Sequence, residues 1–158
     1  ARRASREAER GGARETRDDG QRNYLLQAIA ESIALYGRAG MPARADALFA
    51  KAKEGDVHNL GTLSTLVDTL CREGVDIAHV EQAQAHLLAF EREKMKTSRA
   101  AVAIVPDMKF TSMYNAVLAG FLHCTAKKRG AEQAQRLLAH MVSSHEANPR
   151  HVARPNTT

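Results

Sequence analysis

The chain has 158 residues, 44% hydrophobic, 26% charged and 4% aromatic, a length that suits one domain built on an aliphatic core. Its 28 Ala, four Pro and two Cys (Cys71 and Cys124) predict an all-α protein from a reducing compartment and exclude a disulfide scaffold, because Ala is the strongest helix former and disulfide-held folds are dense in Cys. No apolar run reaches the roughly 18–20 residues of a membrane span. The net charge of 23 − 18 = +5 permits an anionic partner without demanding one.

Residues 1–22 hold seven Arg, five Asp or Glu and three Gly. This mixture has no apolar face and is expected to form a disordered or frayed flank that adds nothing to the fold. A transit peptide would be poor in acid, and Glu7, Glu9, Glu15, Asp18 and Asp19 argue against one. From Asn23 to Arg38, Leu26, Ile29, Ile33 and Tyr36 make one apolar stripe and predict the first helix. Gly40-Met41-Pro42 breaks it, and a second helix follows from Ala43 to Glu54, with Ala45, Leu48, Phe49 and Ala52 on one face before Gly55. A third is predicted over Leu60–Arg72 from Leu63, Leu66, Val67 and Leu70, and a fourth over Ile77–Lys96 from Val80, Ala83, Leu87 and Phe90. After a loop Thr97–Asp107, Tyr114, Val117, Leu118 and Phe121 predict a fifth over Thr111–Cys124. Lys127-Lys128-Arg129-Gly130 reads as a basic turn before a sixth helix, Ala131–Ser144. The chain opens on Ala1 and stops at Pro155-Asn156-Thr157-Thr158, which reads as a piece of something longer.

The helices pair, and the pairs resemble one another. Glu81-Gln82-Ala83-Gln84 and Glu132-Gln133-Ala134-Gln135 are the same tetrapeptide, each followed by Leu-Leu-Ala, and Ala45-Asp46-Ala47-Leu48-Phe49 stands in the corresponding place of the first pair. Self-similarity on this scale predicts an α-solenoid of antiparallel helical hairpins, each burying its face against its neighbours.

Leu35-Tyr36-Gly37-Arg38-Ala39-Gly40 with Ala45–Phe49, Thr62–Gly74, and Met113–Phe121 are similar to successive parts of a pentatricopeptide repeat (PPR), and Pro106-Asp107 and Pro155-Asn156 are similar to its closing dipeptide. The chain thus resembles a PPR fragment of about three repeats, more than a tetratricopeptide array, whose Trp and Leu-Gly signature it lacks. The resemblance divides it into a flank (1–22), hairpins over 23–59, 60–107 and 108–156, and the start of a further repeat at 157–158. One departure is spacing: Ala30 to Ser64 is 64 − 30 = 34 residues, whereas Ser64 to Asn115 is 115 − 64 = 51. The excess is assigned to connections, where closure entropy grows slowly with length.

PPR proteins read single-stranded RNA one base per repeat. The resemblance implies base reading by Ser64 with Asp107 (guanine) and by Asn115 with Asn156 (a pyrimidine). The first pair, Ala30 with Asn59, would read nothing, because Ala30 has no hydrogen-bonding group. Positions at which the family clamps bases with apolar side chains hold Gln27, Gly61, Ser112 and Thr158. Lys127, Lys128 and Arg129 are weak candidates for a phosphate grip, with a solvated turn as the simpler explanation. The resemblance implies a role in RNA processing, stability or translation in a mitochondrion or plastid. The competing reading is a protein–protein scaffold subunit of an organellar assembly such as a mitochondrial ribosome.

Other chemistry finds no footing in the residues. His123-Cys124 are adjacent, His140 and His145 are five apart, and His79 and His86 are seven apart. None of these is the spacing that sets two zinc ligands on one helical face. With no Gly-rich phosphate loop or nucleophile elbow either, the sequence predicts no enzyme activity, metal, cofactor or small-molecule substrate.

Overall fold

The computed structural model describes residues 2–98 and 108–147. Among them the chain is all-helical: α1 (Arg2–Arg38), α2 (Pro42–Glu54), α3 (Leu60–Leu70), α4 (Ile77–Ser98), α5 (Met108–His123) and α6 (Lys127–Ala147). No helix among the described residues is long and apolar enough to cross a membrane.

Most boundaries fall within two residues of where the sequence puts them; α5 begins three residues early at Met108, α6 runs three residues on to Ala147, and the starts of α1 and α6 differ more. The α1 helix begins at Arg2 rather than near Asn23. Asp18 and Arg22 stand four residues apart in it, a spacing of opposite charges that supports helix without an apolar face. The α6 helix begins at Lys127, so the expected basic turn is its first turn. The reversal is made instead by Cys124–Ala126, with the Gly130 N–H already donating to Ala126 O at 2.8 Å. Gly130 is a helical residue because of its neighbour: a Cβ there would stand 2.1 Å from the Phe121 carbonyl oxygen and 2.7 Å from Cys124 Sγ. The loop expected over Thr97–Asp107 gives Thr97 and Ser98 to α4, and its remainder lies outside the described residues.

Each helix packs on its sequence neighbours: α2 on α1, α4 on α3, α6 on α5, then α2 on α3 and α4 on α5. Alternate helices also meet, α1 with α3 and α3 with α5. The core runs through all six helices, from Ile29 and Ile33 by way of Phe49, Leu63, Leu66, Val67, Leu70, Val80 and Leu87 to Tyr114, Val117, Phe121, Leu137 and Met141. Of the residues that set the first two apolar stripes, Ile29, Ile33, Ala45, Phe49 and Ala52 are buried, while Leu26, Tyr36 and Leu48 are partly buried.

The junctions between alternate helices repeat. Ala30, Ser64 and Asn115 occupy the corresponding position of α1, α3 and α5, and Gly37 and Cys71 each lie seven residues beyond it, Thr69 and Gly120 five. A Cβ on Gly37 would lie 2.8 Å from Thr69 Cγ2, and one on Gly120 would lie 2.9 Å from Cys71 Cβ. The seventh residue of one helix thus meets the fifth of the next at both junctions. In each pair one partner is glycine, which is what lets the two backbones approach so closely.

Polar side-chain pairs link α2 to α4 and α4 to α6. Asp46 of α2 meets His86 of α4 at 2.6 Å, Lys53 meets Glu93 at 3.2 Å, and Glu81 of α4 meets Arg129 of α6 at 2.7 Å.

Candidate nucleic-acid interface

Ser64 and Asn115 stand at the same register of α3 and α5, two helices that pack together. Ser64 is half-buried and Asn115 is exposed. Neither belongs to the buried core. Their expected partners Asp107 and Asn156 lie outside the described residues, as does Thr158, so only half of each proposed pair is placed. Ala30 is half-buried at the same register of α1.

Asn59, the closing residue of the first hairpin, has a structural task. Its Oδ1 accepts from the Thr62 backbone N–H at 2.9 Å, while Thr62 Oγ1 accepts from the Asn59 N–H at 2.9 Å. This reciprocal pair satisfies two of the donors left open at the start of α3.

The clamp positions present polar or empty surface. Gln27 is exposed and donates through Nε2 to Glu31 at 3.0 Å, and Ser112 is exposed. Gly61 offers no side chain, and its neighbour Thr65 turns its hydroxyl back to the Gly61 carbonyl at 3.0 Å.

The basic triplet is mostly engaged. Lys127 Nζ donates to the Leu122 carbonyl at 3.3 Å, neutralising an open acceptor at the end of α5. Arg129 is held by Glu81. Lys128 makes no hydrogen bond or ion pair to another described residue, and with Ala126, Lys127, Arg129 and Glu132 it lines a shallow open depression. Three cations at a helix N-terminus oppose the macrodipole. Lys127 and Arg129 offset that cost by reaching α5 and α4.

Two features escaped the sequence reading. The first is a row of rings joining α2, α4, α5 and the turn before α3: His58 stands edge-on to Phe49 and to Phe90 at 6.1 Å, His86 edge-on to Phe49 at 5.3 Å, and Phe90 meets Phe110 at 6.0 Å. Lys94 Nζ lies over Phe90 and Phe110 at 5.9 and 5.4 Å, within cation–π range. The second is a buried polar pair, in which the Tyr114 hydroxyl of α5 donates to Glu91 of α4. Burial first, and then the bond and charge of Glu91, push the Tyr114 hydroxyl far above its ordinary range. The contacts between helices in both features have no local signal, since Phe49 and His86, Phe90 and Phe110, and Glu91 and Tyr114 stand 37, 20 and 23 residues apart.

The two thiols sit in apolar surroundings. Burial, helped by the charge of Asp68, pushes the Cys71 thiol up to about 12, which makes it an inert packing group at neutral pH. Cys124 is fully buried, its thiol turned to the Phe121 carbonyl at 3.1 Å. Among the described residues no three His, Cys, Asp or Glu side chains gather in a way that could hold a metal ion.

No family model matches the chain, and neither the curated proteins nor the solved structures contain a match.

Proposed function

We propose that the chain is a PPR-like helical-repeat module, its hairpins stacked as an α-solenoid, that binds single-stranded RNA in RNA processing, stability or translation within a mitochondrion or plastid. The observation that carries this reading is the repeated junction, Gly37 against Thr69 and then Cys71 against Gly120. A constant offset between successive hairpins is what a repeat stack requires. The same registration sets Ser64 and Asn115 at one level of adjacent first helices and outside the buried core, the placement a base-per-repeat reader needs. Asp107 and Asn156 complete the two pairs, with guanine at the first and a pyrimidine at the second.

Polar clamp positions limit affinity. Stacking on an aromatic platform contributes about 1–3 kcal/mol per base, and Gln27, Gly61 and Ser112 supply none. Binding is therefore expected at a Kd of about 10⁻⁴–10⁻⁵ M at physiological salt, most of it a salt-dependent backbone term. Fluorescence anisotropy with short oligonucleotides tests this. Ser64→Ala and Asp107→Ala are expected to erase a preference for guanine, and Asn115→Ala the preference for a following pyrimidine.

The second reading, a protein–protein scaffold in an organellar assembly, draws support from the engagement of Lys127 and Arg129 within the fold. Anisotropy indifferent to all three substitutions would put it ahead.

A further inference from the structure

The large exposed apolar residues of the last hairpin are Leu122, Leu138 and Val142. Two of them occupy positions that are covered in the earlier hairpins. Leu122 lies seven residues beyond Asn115, where α1 has buried Gly37, lying against Thr69, and α3 has half-buried Cys71, lying against Gly120. Leu138 lies four residues beyond Ala134, where α2 and α4 have Phe49 and Leu87 beyond Ala45 and Ala83. Phe49 and Leu87 are 2% and 0% exposed, whereas Leu138 is 43% exposed and Leu122 56%. Three residues beyond Ala30, Ser64 and Asn115 the trend is the same, with Ile33 and Val67 fully buried and Leu118 only partly. Among the described residues the α5–α6 face thus continues an interface already made twice, with no third hairpin against it.

The chain's own front face is the obvious candidate, since a second copy could stack head to tail. Leu35, 58% exposed, lies five residues beyond Ala30 and is the α1 counterpart of Thr69 and Gly120. Head-to-tail stacking in the same register would therefore set Leu35 against Leu122. The two existing junctions accommodate Gly with Thr and Cys with Gly, each with a would-be Cβ already within 3 Å of its neighbour. Two leucines exceed that space by several methylenes, and a packed interface does not absorb such overpacking without displacing its backbones.

We infer that the α5–α6 end face is a docking surface for a further antiparallel helical hairpin whose first helix places glycine opposite Leu122, and that the Leu35–Leu122 pairing keeps copies of this chain from stacking on each other. The inference rests on the repeat stacking proposed above and not on RNA binding, so its test contains no RNA.

The whole chain is extended after Thr158 by a copy of residues 60–98, in which the residue copied from Thr69 is made Gly in one version and Leu in another. Leu138→Cys serves as reporter, its maleimide labelling followed at that peptide by mass spectrometry, with helix content checked by circular dichroism. The glycine version is expected to slow labelling about tenfold relative to the unextended chain, as burial behind a folded contact does, and the leucine version to leave it fast. Fast labelling in both versions overturns the docking surface, and slow labelling in both overturns the glycine requirement. Two outcomes with the unextended chain also overturn the inference. Labelling that slows as protein concentration rises would make a second copy the occupant, and labelling that accelerates when residues 148–158 are removed would make that segment the occupant.

Discussion

Successive first helices meet where a glycine lets two backbones close on each other, whereas successive second helices meet through long polar side chains, with the Phe49–His86 ring contact beside them. Gly37 lies against Thr69 and Gly120 against Cys71, while Asp46 pairs with His86, Lys53 with Glu93 and Glu81 with Arg129. The difference separates two jobs. Close backbone contacts fix the spacing of the hairpins, because an interior packed to crystal-like density has no room to give. Exposed ion pairs contribute little free energy but discriminate among ways of turning one hairpin on the next.

If this division holds, substitutions that add volume at a glycine contact will cost far more than those that delete a charge. The largest loss is expected where first and second helices touch most closely. Gly130→Ala drives a methyl into the Phe121 backbone oxygen, and because backbone cannot rotate aside it should cost at least about 3 kcal/mol, read as a lower midpoint in urea unfolding.

Next comes the buried polar pair. Tyr114→Phe leaves the Glu91 carboxylate, 7% exposed, without its donor and should cost about 1–3 kcal/mol. The pair also gives the fold an alkaline limit. Tyr114 is held above its ordinary value, so its contribution is complete below the tyrosine range near pH 10 and drains away as pH rises beyond it. Cys71, raised to about 12, adds a loss that begins nearer pH 9. Thermal melts between pH 8 and 12, for which Tyr114→Phe should show a shallower fall than the parent, check the sign.

Gly37→Ala should cost about 1 kcal/mol, less than at Gly130 because the obstacle is the Thr69 side chain. Thr69→Ala in the same chain should recover most of that loss, so the double-mutant cycle reports coupling directly. Smallest of all, Glu81→Gln breaks the ion pair with exposed Arg129 and should shift stability by less than about 0.5 kcal/mol. A loss as large as that at Gly37 would collapse the distinction between the two layers.

The stripes of Ile29 and Ile33, of Leu63, Leu66 and Leu70, and of Val117 and Phe121 were legible in the sequence, because a period of 3.6 is a local property. What the sequence concealed is what depends on a partner. Gly130 reads as a helix boundary until Phe121 O is known to lie beside it. Gly55 reads as the end of α2, and α2 does stop at Glu54, yet the left-handed residue is Asp56, with φ of 53°. Glu91 reads as a surface charge until Tyr114, 114 − 91 = 23 residues on, is folded over it.

The cap at the start of α3 also fixes the sense of an amide. Because its Oδ1 takes the Thr62 N–H, Asn59 turns its NH₂ away from the helix, and the oxygen keeps one further lone pair. Exchanging the two ends of that amide would set an NH₂ against the Thr62 N–H and cost α3 its cap.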